Sequence, residues 1–315
     1  MLQFFSFKGT VNFLRHAVPV SCISIILVLA SIASMATKGI NWGLDFTGGT
    51  VVELNVTQPL DLELIRAGLT SEETDGSVVQ NFGSSRDILI RLPVKEGVKS
   101  DTQVAQLMSV ITALDPQAVQ KRVEFVGPQV GKELAEQGGL AVLAALICIL
   151  IYVSFRFEWR LAVGAVTALA HDVIVTLGVF SFFQLDFDLT VLAGVLTVVG
   201  YSLNDTIVVF DRIRENFLKL RKNTPIDIVN ISITQTMSRT IITTGTTLIV
   251  VIALFLKGGT MIHGFATALL MGIFVGTFSS IYVASLLAIK LGINREHMMP
   301  VEVEKEGADQ DALMP

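Results

Sequence analysis

The sequence predicts an integral membrane protein, mainly α-helical, with six transmembrane helices and one α+β domain outside the membrane. Hydrophobic residues make up 51% of the 315 residues and charged residues only 16%. The mean hydropathy of +0.64 is well above that of ordinary soluble domains. Six apolar runs follow one another along the chain, and one long polar stretch separates the first run from the second.

Each apolar run approaches the length that a membrane-spanning helix needs. A hydrocarbon core of about 30 Å takes roughly 20 helical residues to cross. Ser34-Met35-Ala36 resembles a signal-peptide cleavage site, but the apolar run before it is long for a signal peptide, so we expect a retained anchor. The predicted spans are residues 18–37, 138–155, 161–183, 189–210, 241–256 and 264–291, and the short fifth one should extend at its N-terminal side.

These spans divide the chain into four parts. Residues 1–37 form the N-terminus and first span, 38–137 the outer domain, 138–291 the remaining five spans, and 292–315 a tail. The tail lacks a periodic apolar pattern, so we expect it to be a disordered acidic segment. Its acidic residues are Glu302, Glu304, Glu306, Asp309 and Asp311.

The distribution of Lys and Arg predicts the orientation, because short loops rich in these residues stay in the cytoplasm. Cations precede the first span and occupy the second-to-third and fourth-to-fifth connections, whereas the opposite turns hold Asp186, Asp188 and a single cation, Lys257. Both termini are therefore predicted to be cytoplasmic. The cytoplasmic cations are Lys8, Arg15, Arg156, Arg160, Arg212, Arg214, Lys219, Arg221, Lys222 and Arg239.

The outer stretch, residues 38–137, has its own alternation of strand and helix patterns. VVELNV, SVVQNFG, DILIRLP and KRVEFVG alternate like strands, the middle two flanking Gly83 and Ser84, whereas DLELIRAGL and DTQVAQLMSVITAL have helical spacing. The order β-α-β-β-α-β predicts a ferredoxin-like domain. The alternative is an α/β spacer of unspecified topology.

The fourth run contains a carboxylate at membrane depth, in the segment GYSLNDTIVVFDRIREN. Asp205 lies five residues before the end of the predicted span, roughly 8 Å inside the membrane edge. An intramembrane Asp costs at least about 2.5 to 3.5 kcal/mol and usually marks an ion path. We expect Asp205 to have polar neighbours on the same side of the helix, namely Tyr201, Ser202 and Asn204.

The cation predicted to pair with Asp205 is Arg239, at the start of the fifth span. Thr243, Thr246 and Thr247 continue its helical face. The alternative is that Arg239 is only a cytoplasmic anchor.

Two further patterns in the spans consist of polar residues in the third span and of small residues in the sixth. His171 and Asp172 in the third span form either a second polar station or a hydrogen-bonded structural pair. In the sixth span small residues recur every four positions, which is typical of a helix-packing seam. The seam consists of Gly272, Gly276, Ser280 and Ala284.

Several function classes are disfavoured. A net charge of -5 gives no basic surplus for nucleic acid, and Cys22 and Cys148 lie in apolar runs, so neither a disulfide framework nor a metal site is expected. An intramembrane hydrolase using Ser202 or His171 is disfavoured, because GYSLN breaks the G-x-S-x-G pattern. No phosphate loop occurs. We expect a protein that is not an enzyme and has no cofactor.

Long motifs in a fixed order closely resemble the SecF family, subunits of bacterial SecDF protein-export complexes. The matching segments are NWGLDFTGGT, RVEFVGPQVG, FRFEWRLA, ALAHD, GYSLNDTIVVFDRIREN and the tail segment VEKEGADQ, so the resemblance covers nearly the whole chain. It implies one half of an RND-superfamily transporter bundle, with SecD as the other half, in the bacterial inner membrane with a periplasmic domain. The implied partners are SecD, the SecYEG channel, the SecA motor, secreted preproteins and membrane lipids.

The resemblance also implies roles for individual residues. The family's essential aspartate matches Asp205, its arginine matches Arg239, and a further essential aspartate belongs to SecD. The implied activity is the use of an ion gradient in late steps of secretion. The alternative is a scaffold subunit that assembles SecD with the translocon without carrying the ion path.

The mechanism expected from these residues is a titratable switch coupled to a moving domain. We expect H⁺ as the coupling ion, with Na⁺ as the alternative because Thr206, Ser202 and Asn204 offer oxygen ligands. Glycines after the first span are predicted to form a hinge for the outer domain. They are Gly39, Gly43, Gly48 and Gly49.

Overall fold

The computed structural model describes residues 9–71, 74–82, 84–95 and 97–298. Lys8, Gly83 and the acidic part of the predicted tail lie outside the described residues. The helices, in chain order, are α1 (Ala17–Lys38), α2 (Leu44–Thr47), α3 (Leu62–Gly68), α4 (Ser100–Leu114), α5 (Pro128–Arg156), α6 (Trp159–Phe183), α7 (Leu189–Lys219), α8 (Pro225–Lys257), α9 (Thr260–Ser279) and α10 (Ser285–Lys290). The strands are β1 (Gly49–Asn55), β2 (Val78–Phe82), β3 (Ser84–Leu92) and β4 (Val119–Val126).

Six helices in the described ranges are long and apolar enough to cross a membrane. They are α1, α5, α6, α7, α8 and a sixth helix made of α9, a π-helical turn (Ser280–Ala284) and α10. The predicted fold class, a six-helix membrane protein with an α+β domain, is confirmed.

Three helices extend further than the apolar runs predicted. α5 begins at Pro128 rather than at 138, α7 ends at Lys219 rather than at 210, and α8 begins at Pro225 rather than at 241. An apolar run marks only the part of a helix that lies in hydrocarbon, and the helix continues into water as a polar or amphipathic segment. The outer domain therefore ends before 137, and the connection between α7 and α8 is short rather than a loop reaching Arg239.

The outer domain contains an antiparallel sheet with strand order β2-β3-β1-β4 in the part of the chain that is described. This order, with one helix after β1 and one after β3, is that of the predicted ferredoxin-like fold. Helices α3 and α4 cover one face of the sheet and enclose an apolar core. Its fully buried members include Val52, Leu54, Ile65, Ile88, Ile90, Leu107 and Ile111.

Small residues let the membrane helices pack closely. A Cβ on Gly178 would lie 2.2 Å from the Ser31 side chain, so α6 and α1 are nearly in backbone contact there. A Cβ on Gly272 would lie 2.1 Å from the Val198 side chain of α7. The predicted small-residue seam of the sixth helix is confirmed as a packing surface.

The end of the bundle opposite to the outer domain includes the first residues of the predicted tail. Ile293 is 2% exposed and Met298 4% exposed, and both join the apolar cluster beneath α7 and α8. A short 3-10 turn, Glu296–Met298, follows the last helix. The expectation of disorder from 292 onward is therefore wrong for residues 292–298, because two apolar side chains there have a core to cover.

Candidate ion-coupling site

Asp205 lies on the buried face of α7, together with Ser202 and Thr206. Its exposure is 3%, and those of Ser202 and Thr206 are 2% and 1%. The carboxylate oxygen Oδ2 is buried and has no hydrogen-bond partner. A buried carboxylate without a full set of donors is costly when it is ionised.

The neighbours of Asp205 on α8 and α9 are threonines. Thr244 of α8 lies beside the Asp205 carboxylate and is 8% exposed. The Tyr201 hydroxyl lies 3.4 Å from the Thr244 hydroxyl, and the latter lies 3.5 Å from the Thr277 hydroxyl. Three helices thus contribute hydroxyl groups to one buried polar cluster around the carboxylate.

The direct ion pair predicted between Asp205 and Arg239 is not formed. Arg239 is exposed on the outside of α8 and makes no ion pair within the described ranges, although its charge acts on Asp205 at longer range. The reason is helical geometry: Thr240 and Thr244 lie on the buried face of α8, whereas Arg239, about 100° from Thr240 around the helix, lies on its exposed surface.

The predicted polar companions of Asp205 divide into three groups. Tyr201 reaches the cluster through Thr244. Ser202 is buried but donates to Asp172 of α6, at 2.5 Å, rather than to Asp205. Asn204 is exposed, because one residue advances a helix by about 100°, and its role beside Asp205 stays a prediction.

His171 and Asp172 lie together in the bundle beside this cluster. Asp172 is fully buried. His171 Nδ1 lies 2.9 Å from Asp172 Oδ1, and the hydroxyls of Ser202 and Ser279 donate to Asp172 Oδ2 at 2.5 and 2.8 Å. The pair joins α6, α7 and α9 at the start of the π-helical turn.

The four glycines predicted as a hinge lie where the chain makes tight turns and close contacts. Gly39, Gly48 and Gly49 have positive φ values of 72°, 67° and 123°. A Cβ on Gly43 would lie 2.9 Å from the Asp188 Cβ. These glycines fasten the segment to its neighbours in this structure, and their role as a hinge stays a prediction.

The same segment is attached to the turn between α6 and α7. Gly43 donates its N–H to the Phe187 carbonyl at 2.8 Å, and Phe187 donates to the Asn41 carbonyl at 2.8 Å. Asp45 accepts the N–H of Leu189, the first residue of α7, at 2.9 Å. The outer end of the helix that carries Asp205 is therefore bonded to the base of the outer domain.

Asp186 completes this junction by bonding the sheet itself. Its Oδ1 accepts from Arg91 of β3 at 2.8 Å and from Asn41 at 2.7 Å, and its Oδ2 accepts from Gln80 of β2 at 3.0 Å. Arg91 also donates to the Trp42 carbonyl at 2.8 Å. We call these residues, together with those bonded to the α6–α7 turn, the Asp186 junction. Its members are Asn41, Trp42, Gly43, Asp45, Gln80, Arg91, Asp186, Phe187 and Leu189.

Sequence reasoning missed Thr244, Thr277 and Ser279. The buried hydroxyls of α8 follow a spacing of four, Thr236, Thr240 and Thr244, and that stripe was a readable signal. The prediction that Arg239 pairs with Asp205 pointed instead to the neighbouring stripe, which contains Thr243, Thr246 and Thr247. In the described part of the chain, no group of three or more His, Cys, Asp or Glu residues is arranged to hold a metal ion.

The fold and this cluster define a multi-pass membrane protein with ionisable groups inside its bundle and an outer ferredoxin-like domain. A family profile described as "Protein export membrane protein SecD/SecF, C-terminal" matches residues 106–294. A second, "SecD/SecF GG Motif", matches residues 33–60, which include the glycines of the Asp186 junction region.

Relatives match over the full chain. The protein translocase subunit SecF of Vibrio alginolyticus is 59% identical over 99% of this chain and 100% of that protein. The corresponding subunit of Escherichia coli O157:H7 is 53% identical over 93% of this chain and 91% of that protein. The chain therefore belongs to the SecF family of protein translocase subunits.

Solved structures of SecDF are also similar. The crystal structure of SecDF from Thermus thermophilus, a translocon-associated membrane protein, superposes with a TM-score of 0.81 at 38% identity, covering 92% of this chain. A crystal structure of SecDF in a super-membrane-facing form gives a TM-score of 0.68 at 37% identity. This chain spans 39% of the length of each of those proteins.

Proposed function

We propose that this chain works with SecD as the SecF subunit of an export complex that uses the proton motive force. It would drive late, ATP-independent steps of Sec-dependent secretion, with SecYEG, SecA and the emerging preprotein as partners. The chain is proposed to have no enzymatic activity and no cofactor of its own. The observation that carries the proposal is the Asp205 carboxylate, which is 3% exposed and has an oxygen without a hydrogen-bond partner in a membrane-spanning helix.

The proposed switch is a change of charge at Asp205. A proton on the carboxylate removes a charge that has few donors around it, and this changes which packing of α7 against α8 and α9 is more stable. Each charge that crosses about 100 mV supplies roughly 2.3 kcal/mol. That is enough to shift a two-state equilibrium by more than tenfold.

The Asp186 junction supports transmission of this change to the outer domain. α7 begins at Leu189, whose N–H is bonded to Asp45, directly after the turn that holds Asp186. Asp186 is bonded in turn to Arg91 and Gln80 of the sheet. A displacement of α7 would therefore act on the outer domain through hydrogen bonds rather than through a flexible loop.

The proposed location is the bacterial inner membrane, with both termini cytoplasmic and the outer domain in the periplasm. The distribution of cations supports this orientation. Arg156 and Arg160 lie at the turn between α5 and α6, at the end of the bundle opposite to Asp186 and Asp188.

Protons are favoured over Na⁺ as the coupling ion, because the oxygen atoms predicted as Na⁺ ligands do not converge on Asp205. The Ser202 hydroxyl bonds Asp172, the Thr206 hydroxyl donates to the Ser202 carbonyl at 3.1 Å, and Asn204 is exposed. A Na⁺ ion in protein needs several oxygen ligands at once, by analogy with other hard cations. A proton needs only the carboxylate.

The test is translocation into membrane vesicles that contain this chain with SecD, under separately imposed pH and Na⁺ gradients. Asp205→Asn is expected to abolish the gradient-stimulated part of translocation and to leave the SecA-driven part in place. Asp211→Asn, the same substitution in the exposed cytoplasmic part of α7, is the control and should keep the stimulation. Full stimulation in Asp205→Asn would contradict the proposal, and a response to the Na⁺ gradient alone would contradict the choice of ion.

The scaffold alternative is favoured by one observation, the large apolar faces that this chain leaves uncovered. Leu140, Leu143 and Ile151 of α5 are 65%, 55% and 52% exposed, and such a surface suits a partner's helices as well as lipid. A scaffold role predicts that Asp205→Asn disturbs assembly with SecD. The transporter proposal predicts an assembled and inactive complex, so recovery of SecD by pull-down separates the two.

A further inference from the structure

The His171–Asp172 pair is a second ionisable site in the bundle, and the switch at Asp205 does not use it. Asp172 is 0% exposed and accepts from two serine hydroxyls while its other oxygen faces His171. Both of its oxygens are therefore engaged, Oδ2 by two hydroxyl donors and Oδ1 by the imidazole. A full negative charge buried this deeply needs a compensating positive charge.

The only candidate for that positive charge among the described residues is His171. Asp172 forms its ion pair with His171 and with no Lys or Arg. His171 is 8% exposed, and its Nε2 atom is buried without a hydrogen-bond partner. An imidazole whose Nδ1–H is donated to a carboxylate has its second nitrogen ready to accept a proton.

The helices packed around α6 offer His171 few competing charges. Gly178 of α6 lies against Ser31 and Ser181 against Ser34, so the same parallel offset places Ser24 of α1 opposite His171. Among the ionisable residues on the helices that contact α6, only Asp205 is buried. The others are Tyr201, Asp211, Arg212, Arg214, Glu215 and Lys219 on α7, Tyr282 in the π-helical turn, His263 on α9, Lys290 on α10, Cys22 and Lys38 on α1, and Lys132, Glu133, Glu136, Cys148, Tyr152 and Arg156 on α5.

We propose that His171 is a second protonation site of this chain, held in place by Asp172 and coupled to Asp205. A proton taken up from water forms an N–H bond at Nε2, and no other bond is made or broken. The Nδ1–H stays donated to Asp172, which stabilises the imidazolium. The coupling to Asp205 rests on the proposed function of that residue, whereas proton uptake at His171 does not.

The coupling between the two sites runs through Ser202. Its hydroxyl donates to Asp172, and it precedes Asp205 by three residues on the same buried face of α7, so the two side chains are neighbours on the helix surface. Ser202 thus links the Asp172 carboxylate, which holds His171, to the helix face that carries Asp205. The two sites bind protons as an interacting pair.

Ser279 extends the same site to the sixth helix. It donates to Asp172 directly before the π-helical turn, and Ser285 donates to the Ser280 carbonyl at 3.1 Å across that turn. Single π-helical turns inside α-helices are frequent at functional sites. A Cβ on Gly276 would lie 3.4 Å from Asp172 Oδ2 and 3.1 Å from the Ser202 Cβ, so no space is left there for a larger neighbour.

The test is solid-state NMR of ¹⁵N-histidine in the full chain, assembled with SecD in lipid vesicles. The His171 signal is identified by its loss in His171→Asn, which keeps a donor toward Asp172 but cannot carry the proton. We expect this signal to change from neutral imidazole to imidazolium as the pH is lowered, and to stay neutral over the same range in Asp172→Asn. A single protonation state at every pH in the wild type would overturn the proposal.

Two variants test the coupling and its route. Asp205→Asn removes a buried negative charge from the helix that carries Ser202, so the fraction of His171 present as imidazolium at a given low pH should fall below that of the wild type. Ser202→Ala should reduce that effect of Asp205→Asn, whereas Ser181→Ala, which removes a buried serine hydroxyl elsewhere on α6, should not. If Asp205→Asn left the pH dependence of the His171 signal unchanged, the proposed coupling would be overturned.

The outcomes distinguish this inference from the proposed function. If the His171 signal changes with pH but export does not depend on the pH gradient, the proposed function fails and the second protonation site stands. If export requires Asp205 but His171 keeps one state, the proposed function stands and the second site is wrong.

Discussion

Asp186 lies just before the start of α7 and Asp205 lies within this helix, but their carboxylates have opposite surroundings. Asp186 is 25% exposed and accepts hydrogen bonds from Arg91, Asn41 and Gln80. Asp205 is 3% exposed and keeps an oxygen without a donor. The well-solvated carboxylate has a full set of partners, and the poorly solvated one does not.

Under the proposed function, this difference separates a structural charge from the charge that changes. Donors around a carboxylate favour its ionised form and hold it in place, which suits a junction between two parts of a protein. A buried carboxylate without donors is unstable as an anion and gains by being neutralised. In the proposed mechanism, a change of charge at Asp205 leaves the hydrogen bonds of the Asp186 junction in place.

The largest expected loss of stability follows from removing the cation of the Asp186 junction. Arg91→Met removes the charged one of the three donors to Asp186, and it also removes the side-chain donor to the Trp42 carbonyl. We expect the junction to be weakened by about 2 to 3 kcal/mol. Hydrogen exchange at the amides of Gly43 and Leu189 measures this directly, since both are bonded within the junction.

Arg86→Met is the matched control for that measurement. Arg86 lies on the same strand as Arg91 but is exposed, so its loss should leave exchange at Gly43 and Leu189 unchanged. Equal exchange rates in Arg91→Met and the wild type would show that the junction does not depend on the ion pair.

The second prediction reverses the sign of the effect at the other carboxylate. Asp205→Asn removes a buried charge while keeping the size of the side chain, so we expect the free energy of unfolding to rise by up to about 2 kcal/mol. Thermal unfolding of the chain in detergent at neutral pH checks this. Asp211→Asn on the same helix breaks the 2.6 Å ion pair with Arg156 and should leave stability unchanged or lower it by less than about 1 kcal/mol. Destabilisation by Asp205→Asn would mean that this charge is structural.

A third, smaller effect distinguishes Gly48, which lies close to the start of α5, from Gly39, which has no close neighbour. Gly48 and Gly39 both have positive φ, but a Cβ on Gly48 would lie 3.1 Å from Pro128 Cα, and a Cβ on Gly39 would meet nothing within 4 Å. Gly39→Ala should cost about 1 kcal/mol for the backbone conformation alone. Gly48→Ala should cost more, because Pro128 begins α5. Equal costs, measured by thermal unfolding, would contradict the close approach.

The sequence predicted those features that depend on local periodicity. The six spans, the strand and helix order of the outer domain and the burial of Asp205 all follow from apolar spacing along one segment at a time. The start of α5 and the end of α7 were misplaced, since hydropathy marks the hydrocarbon-spanning part of a helix and not the whole helix. The predicted N-terminal extension of the fifth span is confirmed in α8, although its length was not predicted. The helices continue where their residues become amphipathic.

The partners of the buried carboxylates were not predictable in the same way. Which face of α8 meets α7 depends on how two helices are rotated against each other, and a rotation by one residue exchanges Thr240 for Arg239. The hydrogen bonds of Asp172 to Ser202 and Ser279 join three helices that are far apart in sequence. Asp186 was visible only as a negative charge in an outer turn, because its partners lie in the sheet and after α1.

Asp87 of β3 is a third carboxylate, and it gives the smallest effect. It accepts from Lys121 at 2.6 Å, from Ser84 at 2.6 Å and from Asn55 at 2.7 Å. Lys121 reaches it from the point where the β1–β4 register shifts. The Lys121 hydrogen bond, followed by that of Ser84, lowers the pKa of Asp87 from 3.8 to about 2.

A lowered pKa in the folded state stabilises the domain above pH 3.8, and that contribution is lost as the pH falls through about 2. Because the Lys121 side chain is 43% exposed, we expect less than about 1 kcal/mol from the pair. Urea unfolding of the excised outer domain, residues 48–127, measures it at neutral pH and at low pH. Lys121→Met should lower stability only at neutral pH, so that the two proteins converge in acid. A difference that persists in acid would show that Lys121 contributes by packing rather than through the charge of Asp87.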